Sequence, residues 1–141
     1  MTHAATPPEA LLDAAQRARQ HAYAPYSNYK VGAAIIDEQG RVFAGCNVEN
    51  AAYPEGNCAE TSAIAAMVSA GGRHIREVLV VGGFEQTGHC TPCGGCRQRI
   101  SEFADATARI WLVDASLNWT VVSISDLLPA GFSLSSDKQT G

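Results

Sequence analysis

The chain has 141 residues, 46% hydrophobic and 17% charged, enough for one globular core and short for two, so a single domain spanning 1–141 is expected. Its formal net charge of −4, with no run of lysine or arginine, lacks the basic stripe that a nucleic-acid partner requires and points to a small-molecule substrate. No apolar stretch approaches the ~20 residues of a membrane span, and Met1–Pro8 has neither the charged nor the apolar part of a secretion signal, so a soluble cytoplasmic protein is expected.

Thr6-Pro7-Pro8-Glu9 reads as a capping box with prolines in the first turn. Leu11, Ala15, Ala18 and Ala22 then repeat at helical spacing, predicting an amphipathic helix to about Tyr23, ended by Pro25. Val31–Ile36 is an apolar run of strand length, Asp37-Glu38-Gln39-Gly40 its turn and Val42–Val48 the returning strand, a hairpin that delivers Asn47 and Glu49 toward the next loop. Asn57 is the expected N-cap of a buried helix from Cys58 to about Ala70, stopped by Gly71-Gly72.

Val78–Val81 is a continuous apolar run, the pattern of a strand covered by helices on both faces. After a turn-rich loop, Gly82–Thr91, a helix over about Cys93–Ala104 leads to Ile110–Val113, which predicts a right-handed crossover with parallel strands. Trp119–Ile124 is the fifth strand, Ser125–Leu128 opens a short terminal helix, and 133–141 is a polar tail expected to be loose. The order predicts an α/β fold, a three-layer helix–sheet–helix sandwich around a five-stranded mixed sheet, with functional groups where strand ends meet helix N-termini.

The chemistry concentrates at two of those N-termini. Cys93 and Cys96, three apart at a helix start, put both sulfurs on one face, and Cys58 begins the other helix. Five cysteines, three of them between Cys90 and Cys96, suit thiolate metal binding better than a disulfide framework. Three thiolates leave one place of a tetrahedral zinc open for water, which separates a catalytic from a structural centre. Glu60 follows Cys58 closely, where a carboxylate serves as proton acceptor.

A divalent ion with three thiolates still carries net negative charge, so helix ends and Arg97 are the candidate compensators. A structural zinc knuckle is the blander reading, with Cys90 or His89 closing the fourth position; the missing fourth ligand and Glu60 weigh against it. Cys46 reads as a small buried apolar residue. His3, His21 and His74 have no partner pattern.

Cys58-Ala59-Glu60 and Pro92-Cys93-Gly94-Gly95-Cys96-Arg97-Gln98, with Ala24-Pro25-Tyr26-Ser27 and Gly45-Cys46-Asn47-Val48-Glu49-Asn50-Ala51, resemble the small homotetrameric zinc-dependent cytidine deaminases over nearly the whole chain. The resemblance implies hydrolysis of cytidine and deoxycytidine to uridine and deoxyuridine with release of ammonia, in pyrimidine salvage. It implies one Zn2+ per chain on Cys58, Cys93 and Cys96, with Glu60 as the catalytic proton carrier. Asn47 and Glu49 match the ribose-binding pair, Tyr29 the base-stacking aromatic position and Ala51 part of the substrate-binding segment. Tyr53 and Phe132 match residues that complete a neighbouring subunit's pocket. Many relatives carry an arginine right after the catalytic glutamate to soften the sulfur charge; here Thr61 stands there. A deaminase of a cytosine-nucleoside antibiotic such as blasticidin S is the nearest rival, and a zinc-stabilised binding module the rival of a different class.

Overall fold

The computed structural model describes residues 5–83 and 90–134. Helix α1 (Glu9–Gln20) precedes the hairpin β1 (Val31–Asp37) and β2 (Val42–Cys46), and α2 (Ala59–Ser69) leads to β3 (Ile75–Gly82). Helix α3 (Gly94–Phe103), β4 (Ala104–Val113), β5 (Trp119–Val122) and α4 (Ile124–Leu127) follow. The strands form one five-stranded sheet in the order β2-β1-β3-β4-β5. β3 and β4 run parallel, as the helical connection between them requires, while β1 pairs antiparallel with both neighbours and β5 antiparallel with β4.

Period-two alternation divides the buried strand residues between two helical layers. Ala34, Leu79, Val81, Trp111 and Val113 pack with Leu11 and Ala15 of α1, whereas Ala33, Ile35, Val78, Val80, Ile110 and Leu112 pack with Ala63, Ile64 and Met67 of α2 and Ile100 of α3. Each fully covered large side chain contributes about 1.5–3 kcal/mol of transfer free energy. Two glycines set how close the helices come. A Cβ on Gly32 would lie 2.0 Å from the Ala15 carbonyl oxygen, and one on Gly45 would lie 2.6 Å from the Ala63 amide nitrogen. Gly45 thereby seats the front half of α2, the end that carries Cys58 and Glu60, directly on the hairpin.

The far end of α2 is fastened by a contact that sequence reasoning overlooked. Asp37, fully buried at the hairpin turn, accepts the Gln39 and Arg41 amides on Oδ1 and Arg41 Nε on Oδ2, at 3.0, 2.8 and 2.9 Å. Arg41 Nη2 lies 2.8 Å from Oδ2 as an ion-pair contact without hydrogen-bond alignment, and Nη1 donates to the carbonyl of Ala70, the C-cap of α2, at 3.0 Å. Gly71, with φ of +94°, then turns the chain away in a conformation that glycine adopts freely.

Four local expectations change. The capping box at Thr6 does not form: Pro8 occupies the N-cap of α1 without any side-chain cap, and the helix ends at Gln20 with His21 as C-cap. Asn57 is not the cap of α2, because its amide and carbonyl pair with Val48 at 2.9 Å each; Cys58 is the cap. β4 begins at Ala104 directly after α3, six residues before the apolar run, through a register shift that pairs Ile75 with Ala104. The terminal helix starts at Ile124, one residue earlier than expected, because Ser123 closes a capping box in which its hydroxyl accepts the Asp126 amide at 3.2 Å while Asp126 takes the Ser123 amide at 2.9 Å. Most of the tail expected to be loose, 135–141, and much of the loop before Cys90, including His89, lie outside the described residues, as does His3.

Candidate metal centre and substrate cavity

Cys58 and Cys93 are both N-caps, of α2 and α3, and Cys96 sits in the first turn of α3. Packing of α2 against α3 brings their sulfurs within 4.8 Å of one another. The Cys58–Cys93 separation of 3.9 Å matches the roughly 3.8 Å expected for two sulfurs each 2.3 Å from a tetrahedral zinc. The set therefore fits one zinc per chain, with thiolates at the positive ends of two helices. Among the sulfurs themselves, a hydrogen bond from Cys96 holds the Cys58 thiol below the ordinary thiol range and pushes that of Cys96 above it.

Glu60, in the first turn of α2, is 4% exposed. Burial pushes its carboxyl up, offset in part by its own backbone N–H and by the positive charge of Arg99. Thr61 Oγ1 lies 3.9 Å from Cys96 Sγ, so the residue beside Glu60 offers a hydroxyl dipole where a cation would have been stronger. Arg97 does not turn to the sulfurs: Nε donates to the Pro92 carbonyl and Nη1 to the Leu127 carbonyl, both at 2.9 Å, tying the metal loop to α4.

Cys90 stands apart from the three-sulfur cluster. It is 4% exposed, burial raises its thiol to about 11, and the Tyr29 hydroxyl lies 3.8 Å from its sulfur. These are properties of a neutral thiol in a wall. Cys46 is half-buried at the end of β2, less covered than expected, while His21 and His74 are exposed.

An open cavity of about 490 Å³, within the usual range for small-molecule sites, is lined by Tyr26, Ser27, Asn47, Glu49, Tyr53 and Cys58 among others, so the metal cluster meets it through Cys58. Asn47 Oδ1 accepts the Val31 amide at 2.9 Å and its Nδ2 donates to the Tyr29 carbonyl at 2.7 Å. Glu49 Oε1 accepts the amides of Tyr26 and Ser27 at 2.9 and 3.1 Å, and Oε2 accepts the Ser27 hydroxyl. The Ser27 hydroxyl bond, ahead of the opposing effect of burial, holds the Glu49 carboxyl below its ordinary range, and the two amides add to it. Each of the two side chains keeps unused donor or acceptor capacity.

Both residues expected to hold a sugar thus first hold the loop that carries Tyr29. Ser27, whose hydroxyl also accepts the Tyr29 amide at 3.0 Å, is the organising residue that motif reading left without a role. Its signal was present as a serine two residues before the aromatic, the spacing of a side-chain turn.

Tyr29 is half-buried against the α2-side core and does not line the cavity, and Ala51, one residue past Asn50, is exposed in a bend outside the lining. Tyr53 is 78% exposed with its ring edge-on to Tyr26 at 6.3 Å, and Phe132 is 67% exposed, its carbonyl accepting Gln98 Nε2 at 3.2 Å.

Residues 6–112 match the family described as the cytidine and deoxycytidylate deaminase zinc-binding region. A cytidine deaminase of Sporosarcina psychrophila is 40% identical over 125 residues, 89% of this chain and 90% of that one. The crystal structure of cytidine deaminase from Burkholderia pseudomallei, 45% identical, superposes with a TM-score of 0.82 over 90% of this chain and all of its own. That of Mycobacterium tuberculosis, 36% identical, gives 0.75 over 89% and 96%. With the family match, these relatives and a three-cysteine centre beside a buried glutamate, the chain belongs to the cytidine and deoxycytidylate deaminase family of zinc-dependent hydrolases.

Proposed function

We propose that this enzyme hydrolyses the 4-amino group of cytidine and deoxycytidine, consuming one water and releasing ammonia to leave uridine and deoxyuridine. The observation that carries the reading is the convergence of Cys58, Cys93 and Cys96 at the mouth of a cavity whose rim holds Asn47 and Glu49, with Glu60 buried on the same helix turn as Cys58. Bound zinc would supply the Lewis acidity that polarises a water for attack on C4. Glu60 takes a proton from that water and delivers it to N3 of the base, then passes the second proton to the departing amine. Its burial makes the carboxylate a stronger base than an exposed one. Asn47 and Glu49 offer their remaining capacity to sugar hydroxyls, and the Glu49 charge disfavours a 5′-phosphate. Asn50, the neighbour of Ala51, borders the cavity on the sugar side, and Tyr29, held by Ser27 and Asn47, stands behind its wall.

The cavity is open, and Tyr23, Tyr26, Tyr53 and Phe132 are all more than half exposed. Neighbouring subunits of a homotetramer would cover such aromatics and complete the walls, bringing Tyr53 and Phe132 to shared sites. The chain acts as one catalytic domain, and salvage of cytosine nucleosides in the cytoplasm is its role. No helix among the described residues is long and apolar enough to cross a membrane.

One preparation tests this. Metal analysis should find one zinc per chain, lost in Cys58→Ala, Cys93→Ala and Cys96→Ala and retained in Cys90→Ala; zinc that follows Cys90 overturns the ligand set. Light scattering should give about four times 14.9 kDa. Cytidine and deoxycytidine should be turned over well; cytosine should be poor because polar groups built for a sugar hydroxyl are left unpaired without it, and cytidine monophosphate should be poor because the Glu49 carboxylate repels its phosphate. Efficient use of cytosine would remove the sugar-reading role of Asn47 and Glu49, and a clear preference for blasticidin S would assign the enzyme to antibiotic inactivation.

A further inference from the structure

Three thiolates and a buried carboxylate in one small volume outweigh a divalent ion, and the two helix N-termini supply only about half a charge each. A full cation nearby would offset what remains. Thr61 provides a neutral hydroxyl 3.9 Å from Cys96, and the Arg97 guanidinium is committed to the Pro92 and Leu127 carbonyls. Arg19 is likewise committed, to the carbonyls of Lys30 and Gly83.

Arg99 is placed differently. It lies one helical turn after Gly95, and its side chain folds back over the first turn of α3. Its Nη1 is 3.0 Å from the point where a Gly95 Cβ would stand, and Cys93 Sγ is 4.0 Å from that same point. Gly95, by having no side chain, leaves the space that the guanidinium enters. Among the described residues Arg99 makes no hydrogen bond or ion pair that would draw it there. A cation at a helix N-terminus opposes the macrodipole, so its position makes electrostatic sense only if negative charge collects at that terminus. Among the described residues, the negative charge gathered at that terminus is the metal cluster with Glu60.

We propose that Arg99 is the cation that offsets the charge of the zinc–thiolate centre in this enzyme, reaching it from the second turn of α3 across Gly95. It is a positioning residue: it touches neither substrate nor metal, and stabilises the loaded centre through space. The role rests on the three-cysteine zinc reading above. Because Arg99 is exposed, water and salt screen it, so its contribution is moderate and depends on ionic strength.

The test is the zinc dissociation constant of the purified enzyme, read by competition with a chromogenic chelator at about 0.01 M and about 1 M salt, where the screening lengths are roughly 30 and 3 Å. Arg99→Gln should weaken zinc about three- to tenfold at low salt, and the gap to wild type should close at high salt. Arg99→Lys should recover most of the loss, since charge matters here and fork geometry does not. Circular dichroism should show all three proteins equally folded. Wild-type zinc affinity in Arg99→Gln at low salt overturns the proposal, as does a loss that persists unchanged at high salt or is not recovered by lysine. A wild-type chain that holds no zinc overturns the metal reading itself, whereas normal zinc in every Arg99 variant leaves that reading intact and removes only Arg99.

Discussion

Helix α2 has a buried carboxylate at each end, and the two are treated in opposite ways. Asp37, against the C-terminal end, is fully buried yet saturated. Burial pushes its carboxyl up, but the Arg41 and Gln39 amides and the Arg41 guanidinium outweigh this and hold it below the ordinary carboxylate range. Glu60, at the N-terminal end, is almost as buried, but its carboxyl is left raised, with only its own backbone N–H and the more distant Arg99 charge in opposition. A carboxylate whose lone pairs are filled by fixed donors stays charged and holds structure together. One that is desolvated and left short of partners is ready to take up a proton, the disposition expected at a reactive position. Burial alone therefore does not distinguish a fastening from a catalyst; the difference lies in what the surroundings donate.

The largest expected effect sharpens the Glu60 side. Glu60→Gln keeps the shape but cannot accept a proton, so kcat for cytidine should fall about 10²–10⁴-fold, while thermal unfolding and zinc content stay near wild type. Near-normal turnover in a fully folded, zinc-loaded Glu60→Gln enzyme would remove Glu60 from the mechanism and collapse the contrast.

The Asp37 side is broken by stability instead. Asp37→Asn leaves Arg41 facing an amide and should cost about 1–3 kcal/mol in denaturant unfolding, with little change in kcat per folded, zinc-loaded molecule. The pH dependence has a definite sign. A carboxyl depressed in the folded state contributes stability that is fully present above its unfolded pKa, near 3.9, and is lost as pH falls through the lower folded value. Wild type should thus lose this stabilisation only on acidification below about pH 4, and Asp37→Asn should show a flatter stability profile there. An Asp37→Asn variant as stable as wild type at neutral pH would show the pair to be incidental.

Glu49 combines the two treatments, a carboxylate filled by Ser27 and two amides while also lining the cavity. Ser27→Ala releases one of its oxygens and loosens the Tyr29 loop. KM for cytidine should rise about two- to tenfold with kcat much less affected, as for loss of one hydrogen bond in positioning. A change confined to kcat would instead place Ser27 with Glu60 on the chemical side of the contrast.

Much of this architecture is written locally. The continuous apolar runs Val31–Ile36 and Val78–Val81, the Gly71 stop and the i,i+3 spacing of Cys93 and Cys96 each depend on neighbours within one turn or one strand, and they describe the sheet, the α2 boundary and two of the candidate ligands without any tertiary information. Side-chain direction is not local. Which residue caps α2 was decided by the pairing of Asn57 with Val48, which removes Asn57 from the helix and leaves Cys58 at its tip. The start of β4 was decided by β3, whose shifted register recruits the polar stretch after Ala104. Arg97, next to a candidate ligand in the chain, is drawn to Leu127, thirty residues away, because α4 presents free carbonyls there; Arg99, more distant in sequence, folds back because Gly95 leaves room. Residue identity and spacing determined which groups are present and which strands and helices carry them. Only packing, through the desolvation and hydrogen bonds that each group meets, decided which carboxylate is saturated with donors and which is left short of them.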